Sequence, residues 1–224
     1  MEKKNTVLLT VIAVATLLVA VVGATFAYFT ATTTPNGNGG NTTATTTTVG
    51  NVDLTMAAST TTNDLKYPGG YLVVGASVTA TDTDTANDFN VTYKVNGQIT
   101  NNTTTALTYD LYEVSSTVAT PVTGCTVKEV AGAVSKYYYE GCTVATEITG
   151  GTKVLSAQTA AAGVTTTVTA TGETLKTSNA GTTTYYYLVV NYPNTDADQN
   201  EDQGKTVVAS IDSVTEAVSA VAQP

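Results

Sequence analysis

Threonine, valine and tyrosine dominate this chain from residue 28 onward, and they constrain its fold more than any other feature. About fifty of the 224 residues are threonine, 13 are tyrosine, and there is no tryptophan or histidine. Branched and aromatic side chains suit the pleated, half-buried surface of a β-sheet. The composition therefore predicts an all-β protein. Residues 28–224 are about the length of one domain.

Short alternating segments separated by turn residues indicate where the strands lie. We expect about ten strands, of which the first begins at Val52. The others are Tyr71–Ala80, Phe89–Val95, Leu107–Val114, Thr123–Val130, Ser135–Glu140, Thr143–Ile148, Val164–Thr171, Thr184–Tyr192 and Lys205–Val214. Asn96-Gly97 is a hairpin signal, and Pro68-Gly69 indicates a turn. In Leu107–Val114, alternation predicts Leu107, Tyr109, Leu111 and Glu113 on one face and Thr108, Asp110 and Tyr112 on the other. Thr152–Ala162 is the one short-helix candidate. This pattern predicts a single-domain antiparallel β-sandwich of the jelly-roll type at 51–224.

The first 27 residues have the features of a signal peptide. Lys3 and Lys4 precede an uncharged apolar run from Val7 to Val22, and the small-x-small site Thr25-Phe26-Ala27 follows. These parts predict an apolar signal helix at 1–27, cleavage between Ala27 and Tyr28, and a secreted protein. A retained membrane anchor is the alternative, since the apolar stretch is long enough to span a bilayer. A pilin-type helix is a third interpretation, but no processing site precedes the run.

Residues 28–50 form a Thr-, Asn- and Gly-rich arm between the signal peptide and the domain. The arm has too little apolar surface to pack alone, so we expect it to be flexible. Tyr28, Phe29, Ala31 and Thr33 would be its anchors, because the last three alternate as in a strand. A strand of this kind can add to the sheet of another subunit. The alternatives are a surface linker or a Thr-rich segment that carries sugars.

Charge and residue types argue against several classes of function. The net charge is −9 and every cation is a lysine, so the chain has no basic cluster for nucleic-acid phosphates. Without histidine, the usual acid–base, zinc and triad mechanisms lack their commonest residue. No phosphate-binding or dinucleotide motif is present. We therefore expect neither an enzyme nor a bound cofactor.

Two cysteines and one acidic loop are the remaining site candidates. Cys125 and Cys142 predict a disulfide in an exported protein. The alternatives are two buried free thiols or an incomplete metal site, and the lack of histidine disfavours the metal. The loop near residue 200 alternates oxygen ligands of the kind calcium prefers, namely Asp196, Asp198, Asn200 and Asp202. It departs from the EF-hand pattern, since Glu201 replaces the turn glycine and Val207 replaces the bidentate glutamate. A solvated turn without metal is the favoured interpretation.

Two tyrosine triplets have a core interpretation and a binding interpretation. Alternate tyrosines in Tyr137–Tyr139 and Tyr185–Tyr187 face opposite sides of a strand, so each triplet contributes to both core and surface. The binding alternative is a stacking platform for sugars or bases.

Segments at both ends of the chain resemble the TasA/camelysin family of secreted biofilm-matrix fibre proteins. The leader end Gly23–Phe29 is similar to the family's SipW-type signal peptide, and Val49–Leu54 is similar to the strand that follows it. Tyr67–Gly70 is similar to the family's Pro-Gly-Asp turn, with Gly70 in place of the acid. Tyr187–Asn194, followed by Gln199-Asn200 and Gln203–Lys205, is similar to a late strand–loop–strand motif. Residues 98–183 match little beyond their β character.

The resemblance implies a jelly-roll subunit of an extracellular surface or biofilm-matrix fibre. Its partners would be other copies of itself, a dedicated signal peptidase during export, and other matrix proteins or glycans. The metallopeptidase label of some members is not carried over, because this chain has no histidine. Joined with the arm, the resemblance predicts head-to-tail assembly by strand addition after cleavage. The alternative function is a secreted or cell-surface adhesin or carbohydrate-binding module.

Overall fold

The protein is an antiparallel β-sandwich. A computed structural model describes residues 42–49, 52–63, 67–82, 89–130, 136–178, 180–195, 199–202 and 204–222. The strands are β1 (Thr42–Val49), β2 (Val52–Asn63), β3 (Tyr71–Asp82), β4 (Phe89–Asn101), β5 (Leu107–Val114), β6 (Val122–Thr123), β7 (Thr126–Val130), β8 (Lys136–Glu140), β9 (Thr143–Val144), β10 (Thr152–Ala160), β11 (Val164–Lys176), β12 (Thr182–Asn191) and β13 (Val207–Ala222). One α-helical turn, α1 (Thr146–Thr149), and one 3₁₀ turn, Asn200–Asp202, complete the elements.

The eight long strands after β1 follow the order of a jelly roll. The first sheet runs β3-β12-β5-β10 and the second runs β2-β13-β4-β11. If the eight long strands β2, β3, β4, β5, β10, β11, β12 and β13 are renumbered 1 to 8 in chain order, the two sheets read 2-7-4-5 and 1-8-3-6. This is the double-sheet arrangement of two Greek keys. β2 belongs to both sheets, because Val52–Ala57 pairs with β3 and Ser59–Asn63 pairs with β13. The predicted antiparallel jelly-roll sandwich is confirmed.

The core lies between the two sheets and is built by strict alternation. Every second residue of β3, from Leu72 to Asp82, is buried, and its neighbours are half-exposed. Burial of one face per strand is what a sandwich requires. Its largest fully buried side chains include Tyr93, Tyr186 and Met56. Tyr93 lies in the second sheet and Tyr186 in the first, so their contact joins the two sheets.

Residues 115–130 and 136–151 form a small outer layer on the far face of the first sheet. Ile148 of α1 is fully buried against Tyr112 and Tyr187 of that sheet. The Tyr187 hydroxyl accepts a hydrogen bond from the backbone N–H of Val118 at 2.7 Å. The first sheet is therefore covered on both faces over this part of its surface.

The predicted disulfide is present in this outer layer. Cys125 and Cys142 are joined with a Cα–Cα distance of 4.2 Å, and they flank the hairpin of β7 and β8. The hairpin lies against the turn before β3, since the backbone N–H of Tyr139 donates to the carbonyl of Pro68 at 2.7 Å. The cross-link closes the base of this hairpin, whose described residues, 126–130 and 136–140, are absent from the main core.

Three local predictions are wrong. Thr152–Ala162 is not a helix, because Thr152–Ala160 is strand β10. Thr143–Ile148 is a strand only at Thr143–Val144, and α1 then begins at Thr146. Asn96-Gly97 is not a hairpin turn, since β4 continues through it to Asn101.

Gly97 has a packing role in place of the predicted turn. A Cβ atom at this position would lie 2.2 Å from the Ser210 carbonyl oxygen of β13. The pairing register of β13 also shifts between Ile211 and Ser213, opposite Gly97 and Asn96. A glycine opposite a bulge allows the two backbones to approach closely.

The arm predicted at residues 28–50 is described only in part. Thr42–Val49 is not a free arm, because it forms β1 and pairs with β2 from Thr42↔Ala58 to Val49↔Val52. The signal peptide 1–27, its cleavage site at Ala27 and Tyr28, and the first part of the arm lie outside the described residues. In the described part, no helix is long and apolar enough to cross a membrane.

Candidate functional site

The outermost strands of the two sheets, β10 and β11, are the first candidate site, because a strand of another chain could pair with them. They differ in how well they are protected against such pairing. β10 is the last strand of the first sheet, and its register shifts twice, between Lys153 and Leu155 and between Leu155 and Gln158. Ala157 has a positive φ of 48°, and its N–H donates to Asp110 at 2.6 Å. Bulges and charges of this kind block the addition of a further strand.

β11 is the last strand of the second sheet and lacks this protection over its first eight residues. Val164–Thr171 pairs with β4 without a register shift, from Val164↔Asn101 to Thr171↔Lys94. The segment has no charged residue and no proline. Its other edge bonds to no strand in the part of the chain that the structure describes. A regular, uncharged outer strand is a template for pairing with another chain.

The side chains of this β11 segment alternate as a sandwich strand should. Val168 and Ala170 are buried, whereas Thr167 and Thr169 are exposed, and Val164 is 48% exposed. A strand placed alongside would extend both the core face and the threonine face. The segment Val164–Thr171 is called the open edge below. The predicted anchors Tyr28, Phe29, Ala31 and Thr33 lie outside the described residues, so their contacts with any edge stay a prediction.

The second candidate site is a polar cluster where the β4–β5 loop meets the β12–β13 loop. Asp202 is 2% exposed, and its two carboxylate oxygens accept hydrogen bonds from the Thr104 N–H, from the Thr104 and Thr105 hydroxyls, and from the Tyr192 hydroxyl. Burial alone would raise the pKa of this carboxyl, but the bonds from Tyr192, Thr104 and Thr105 outweigh it and lower the pKa.

These bonds bear on the calcium hypothesis for the same loop. Four protein donors already saturate the Asp202 oxygens, so this carboxylate is an internal acceptor rather than a solvated ligand. Asp196 and Asp198 lie outside the described residues, and nothing is described of the Asn200 side chain. Among the described residues, no cluster of three acidic, histidine or cysteine side chains could hold a metal.

Gln199 completes this cluster. Its Nε2 donates to the Thr105 hydroxyl at 3.3 Å and to the Pro193 carbonyl at 3.1 Å. Its Oε1 accepts from the Thr195 N–H at 3.2 Å. The Gln199 amide is thus held on both sides, next to a threonine whose hydroxyl is bonded to a buried carboxylate. Thr105, Gln199, Asp202, Tyr192 and Thr195 are called the loop cluster below.

A third polar group lies between the sheets at Tyr93 and Tyr186. Their hydroxyls are 2.7 Å apart, and the Tyr186 hydroxyl also donates to Glu173 Oε2 at 3.4 Å. Burial raises the pKa of both phenols. Burial, followed by the charge of Glu113, raises the pKa of Glu173. Tyr186 is fully buried and cannot stack on a ligand, so the binding interpretation of its triplet is wrong at this residue.

A cleft of about 570 Å³ opens beside Glu113. Its lining comes from β5 and the two residues after it, from α1 and the glycines after it, from β10 and from β12. The polar members are Glu113, Ser115, Ser116, Glu147, Thr152 and Thr184. The other tyrosine triplet lies elsewhere, where Tyr137 and Tyr139 pack against Tyr67 with ring centroids 5.6 and 5.4 Å apart. All three tyrosines are half-buried.

Sequence reasoning missed both the open edge and the loop cluster. The predicted strand Val164–Thr171 matches the open edge in its bounds, but which strand ends a sheet depends on pairings that the local pattern does not encode. The loop cluster joins residues 94 positions apart. Comparison with protein-family models, with curated proteins and with solved structures gives no match.

Proposed function

We propose that this protein is a structural subunit of an extracellular surface or biofilm-matrix fibre. After signal-peptide cleavage, the N-terminal arm of one copy would add as a strand to the next copy, so that subunits join head to tail. The observation that carries the proposal is the open edge Val164–Thr171, which is regular, uncharged and eight residues long, in contrast to the bulged β10. The resemblance to the TasA/camelysin family supports the same proposal and stays a prediction.

The conformation of β1 adds support. Thr42–Val49 has eight uncharged residues and pairs as a strand within its own chain, so this Thr-rich sequence is competent for β-pairing. Either β1 exchanges between copies, or it stays in place and residues 28–41 donate the strand. In both cases the backbone supplies the main contacts, and pockets for alternate side chains supply the specificity.

The energetics explain why anchors are needed. An eight-residue antiparallel pairing makes about eight backbone hydrogen bonds, each contributing about 1 kcal/mol net. Association costs about 4–15 kcal/mol in lost freedom, so the ladder alone is marginal. Burying Tyr28 and Phe29 would add about 2 kcal/mol each. A tight contact therefore requires both the ladder and the anchors.

Three N-terminal starting points test the proposal. Protein beginning at Tyr28 should form filaments visible by electron microscopy, and protein beginning at Gly50 should remain monomeric. A version beginning at Thr42 separates the two donors: filaments indicate that β1 exchanges, and monomers indicate that residues 28–41 donate. Equal filaments from all three versions would refute strand addition by the arm.

A matched pair of charge variants tests the acceptor. Thr167→Lys places a charge on the open edge, and Thr159→Lys places the same charge on the exposed face of bulged β10. We expect Thr167→Lys to reduce filament formation strongly, because a charge on an outer strand opposes pairing. Thr159→Lys should assemble normally. The reverse outcome would exclude the open edge as the acceptor.

A binding function is the second candidate, and one observation favours it. The cleft beside Glu113 has the volume of a small-molecule site, and its lining includes two carboxylates and four hydroxyls that could hydrogen-bond a sugar. A glycan array should then show binding that Glu147→Ala weakens while filament formation is unchanged. An array without binding would exclude the carbohydrate-binding function and leave the fibre subunit as the remaining proposal.

A further inference from the structure

The loop cluster places a hydroxyl nucleophile beside a base. The Thr105 hydroxyl donates to Asp202 Oδ2 at 2.7 Å, and the Tyr192 hydroxyl holds the same oxygen at 2.7 Å. A weak hydroxyl nucleophile is activated when its hydrogen-bonded base is itself oriented by a third group. Thr105, Asp202 and Tyr192 have this arrangement.

The same cluster presents an acyl group to that nucleophile. Gln199 Nε2, the atom bonded directly to the amide carbon, donates a hydrogen bond to Thr105 Oγ1 at 3.3 Å, so the hydroxyl lies beside the amide. Attack requires the Gln199 amide to turn from this hydrogen-bonded position until its carbon is about 3–3.5 Å from the oxygen. The Thr195 N–H donates to Gln199 Oε1 at 3.2 Å, where negative charge would develop. The Pro193 carbonyl holds the nitrogen that would leave.

We infer that Thr105 and Gln199 form an intramolecular ester cross-link. Thr105 Oγ1 attacks the amide carbon of Gln199 as its proton passes to Asp202, and the Thr195 N–H stabilises the resulting oxyanion. The carbon–nitrogen bond then breaks, and the nitrogen takes the proton back from Asp202 and leaves as ammonia. One carbon–oxygen bond replaces one carbon–nitrogen bond, so the reaction needs no oxidant, reductant or co-reactant.

Geometry supports the first half of this proton transfer and the pKa of Asp202 supports the second. The Thr105 hydroxyl already donates to Asp202 Oδ2 at 2.7 Å, so its proton points at the base. The lowered pKa makes Asp202 a weak base, which gives the proton up readily to the leaving nitrogen. Asp202 and Tyr192 are 2% and 1% exposed, which limits the access of water to the ester from their side. The cross-link would join the β4–β5 loop to the β12–β13 loop. It requires no second copy, so it is independent of the proposed assembly.

Tryptic mass spectrometry of the purified full chain tests the inference. Because the chain has no arginine, trypsin cleaves after Lys94, Lys128, Lys176 and Lys205, which puts Thr105 in peptide 95–128 and Gln199 in peptide 177–205. After reduction of the disulfide, we expect the two peptides to run as one species whose mass is their sum less one ammonia. Hydroxylamine, which cleaves esters, should separate them. Two separate peptides with an unmodified Gln199 would overturn the inference.

Variants distinguish an ester from an accidental adduct. Thr105→Ala removes the nucleophile and should abolish the linked species, whereas Thr105→Ser keeps a hydroxyl and should retain it. Asp202→Asn removes the base and should reduce linkage while the far-ultraviolet circular dichroism reports whether the sandwich remains folded. A linked species of unchanged abundance in Thr105→Ala would exclude Thr105 as the nucleophile. The wild-type mass decides the matter even if a variant fails to fold.

Discussion

The hydroxyl pair of Tyr93 and Tyr186 offers a quantitative test of how the two sheets are held together. The two oxygens are 2.7 Å apart, and both rings are fully buried. Tyr186→Phe would leave the Tyr93 hydroxyl buried without this partner, which costs about 2 kcal/mol of unfolding free energy. Tyr93→Phe should cost less, about 1 kcal/mol, because the Tyr186 hydroxyl keeps its contact with Glu173 at 3.4 Å.

The double variant decides whether the hydrogen bond itself carries the effect. Replacing both hydroxyls keeps the shape of the core and leaves no buried hydroxyl without its partner. Only half-buried Glu173 loses a 3.4 Å bond, so the cost should be about 1 kcal/mol. The coupling energy is then about 2 kcal/mol, the difference between the summed single costs and the double cost. Urea unfolding of the four proteins measures it. Half-exposed Tyr138→Phe is the control and should change stability by less than about 0.5 kcal/mol.

Two results would contradict this reasoning. Single costs that add to the double cost within about 0.5 kcal/mol would mean that the hydroxyls do not interact in solution. A double variant less stable than either single variant would mean that the hydroxyls contribute through other contacts. Either result would remove the polar link between the sheets.

Three further predictions concern backbone packing, the cross-link and acid stability. Gly97→Ala should destabilise the fold by about 2 kcal/mol or more in urea unfolding, because its Cβ would meet the backbone oxygen of Ser210 at 2.2 Å; an unchanged midpoint would contradict the close approach. Replacing Cys125 and Cys142 by serine should lower the free energy of unfolding by about 3 kcal/mol in the chain-entropy model if the hairpin unfolds with the core. The loss should be small if the hairpin unfolds alone. Calorimetry distinguishes the two cases, since it shows one unfolding transition or two. Because the pKa of Asp202 is lower in the folded state than in the unfolded state, about 3.9, its ionised form stabilises the fold above that pH. This stability is lost as the pH falls through the folded-state pKa, so Asp202→Asn should flatten the acid limb of a stability–pH curve. An identical acid limb would contradict the prediction.

Local alternation predicted the strands well where a single sheet face decides burial. The bounds of β5 match the predicted Leu107–Val114, since its residues alternate clearly from Leu107 to Leu111. Tyr112, predicted on the outward face, is nevertheless buried at 6% because Val118, Val144 and Ile148 of the outer layer cover that face. An insertion that folds back over a sheet leaves no signal in the strand it covers.

Signals that depend on distant partners were misread. Asn96-Gly97 satisfies the local rule for a hairpin. The glycine is needed instead because β13, more than a hundred residues later in the chain, packs closely against it. The disulfide was predicted from the two cysteines together with the predicted export, and only one pairing was available. The loop cluster had no such restriction, since any of about fifty threonines could have met Gln199.

The strand shared by the two sheets also sets the order in which the fold can be completed. β2 is the first strand of the second sheet and β13 is the last, and Asn63 pairs with Val207. The second sheet therefore has no continuous ladder until almost the whole chain is available, and such long-range pairing slows folding. Until then, β2 and β4 expose unpaired backbone groups to any neighbouring chain. Loss of β13 would remove a central strand, so a shortened chain would keep the first sheet and the pairing of β4 with β11 but not the sandwich.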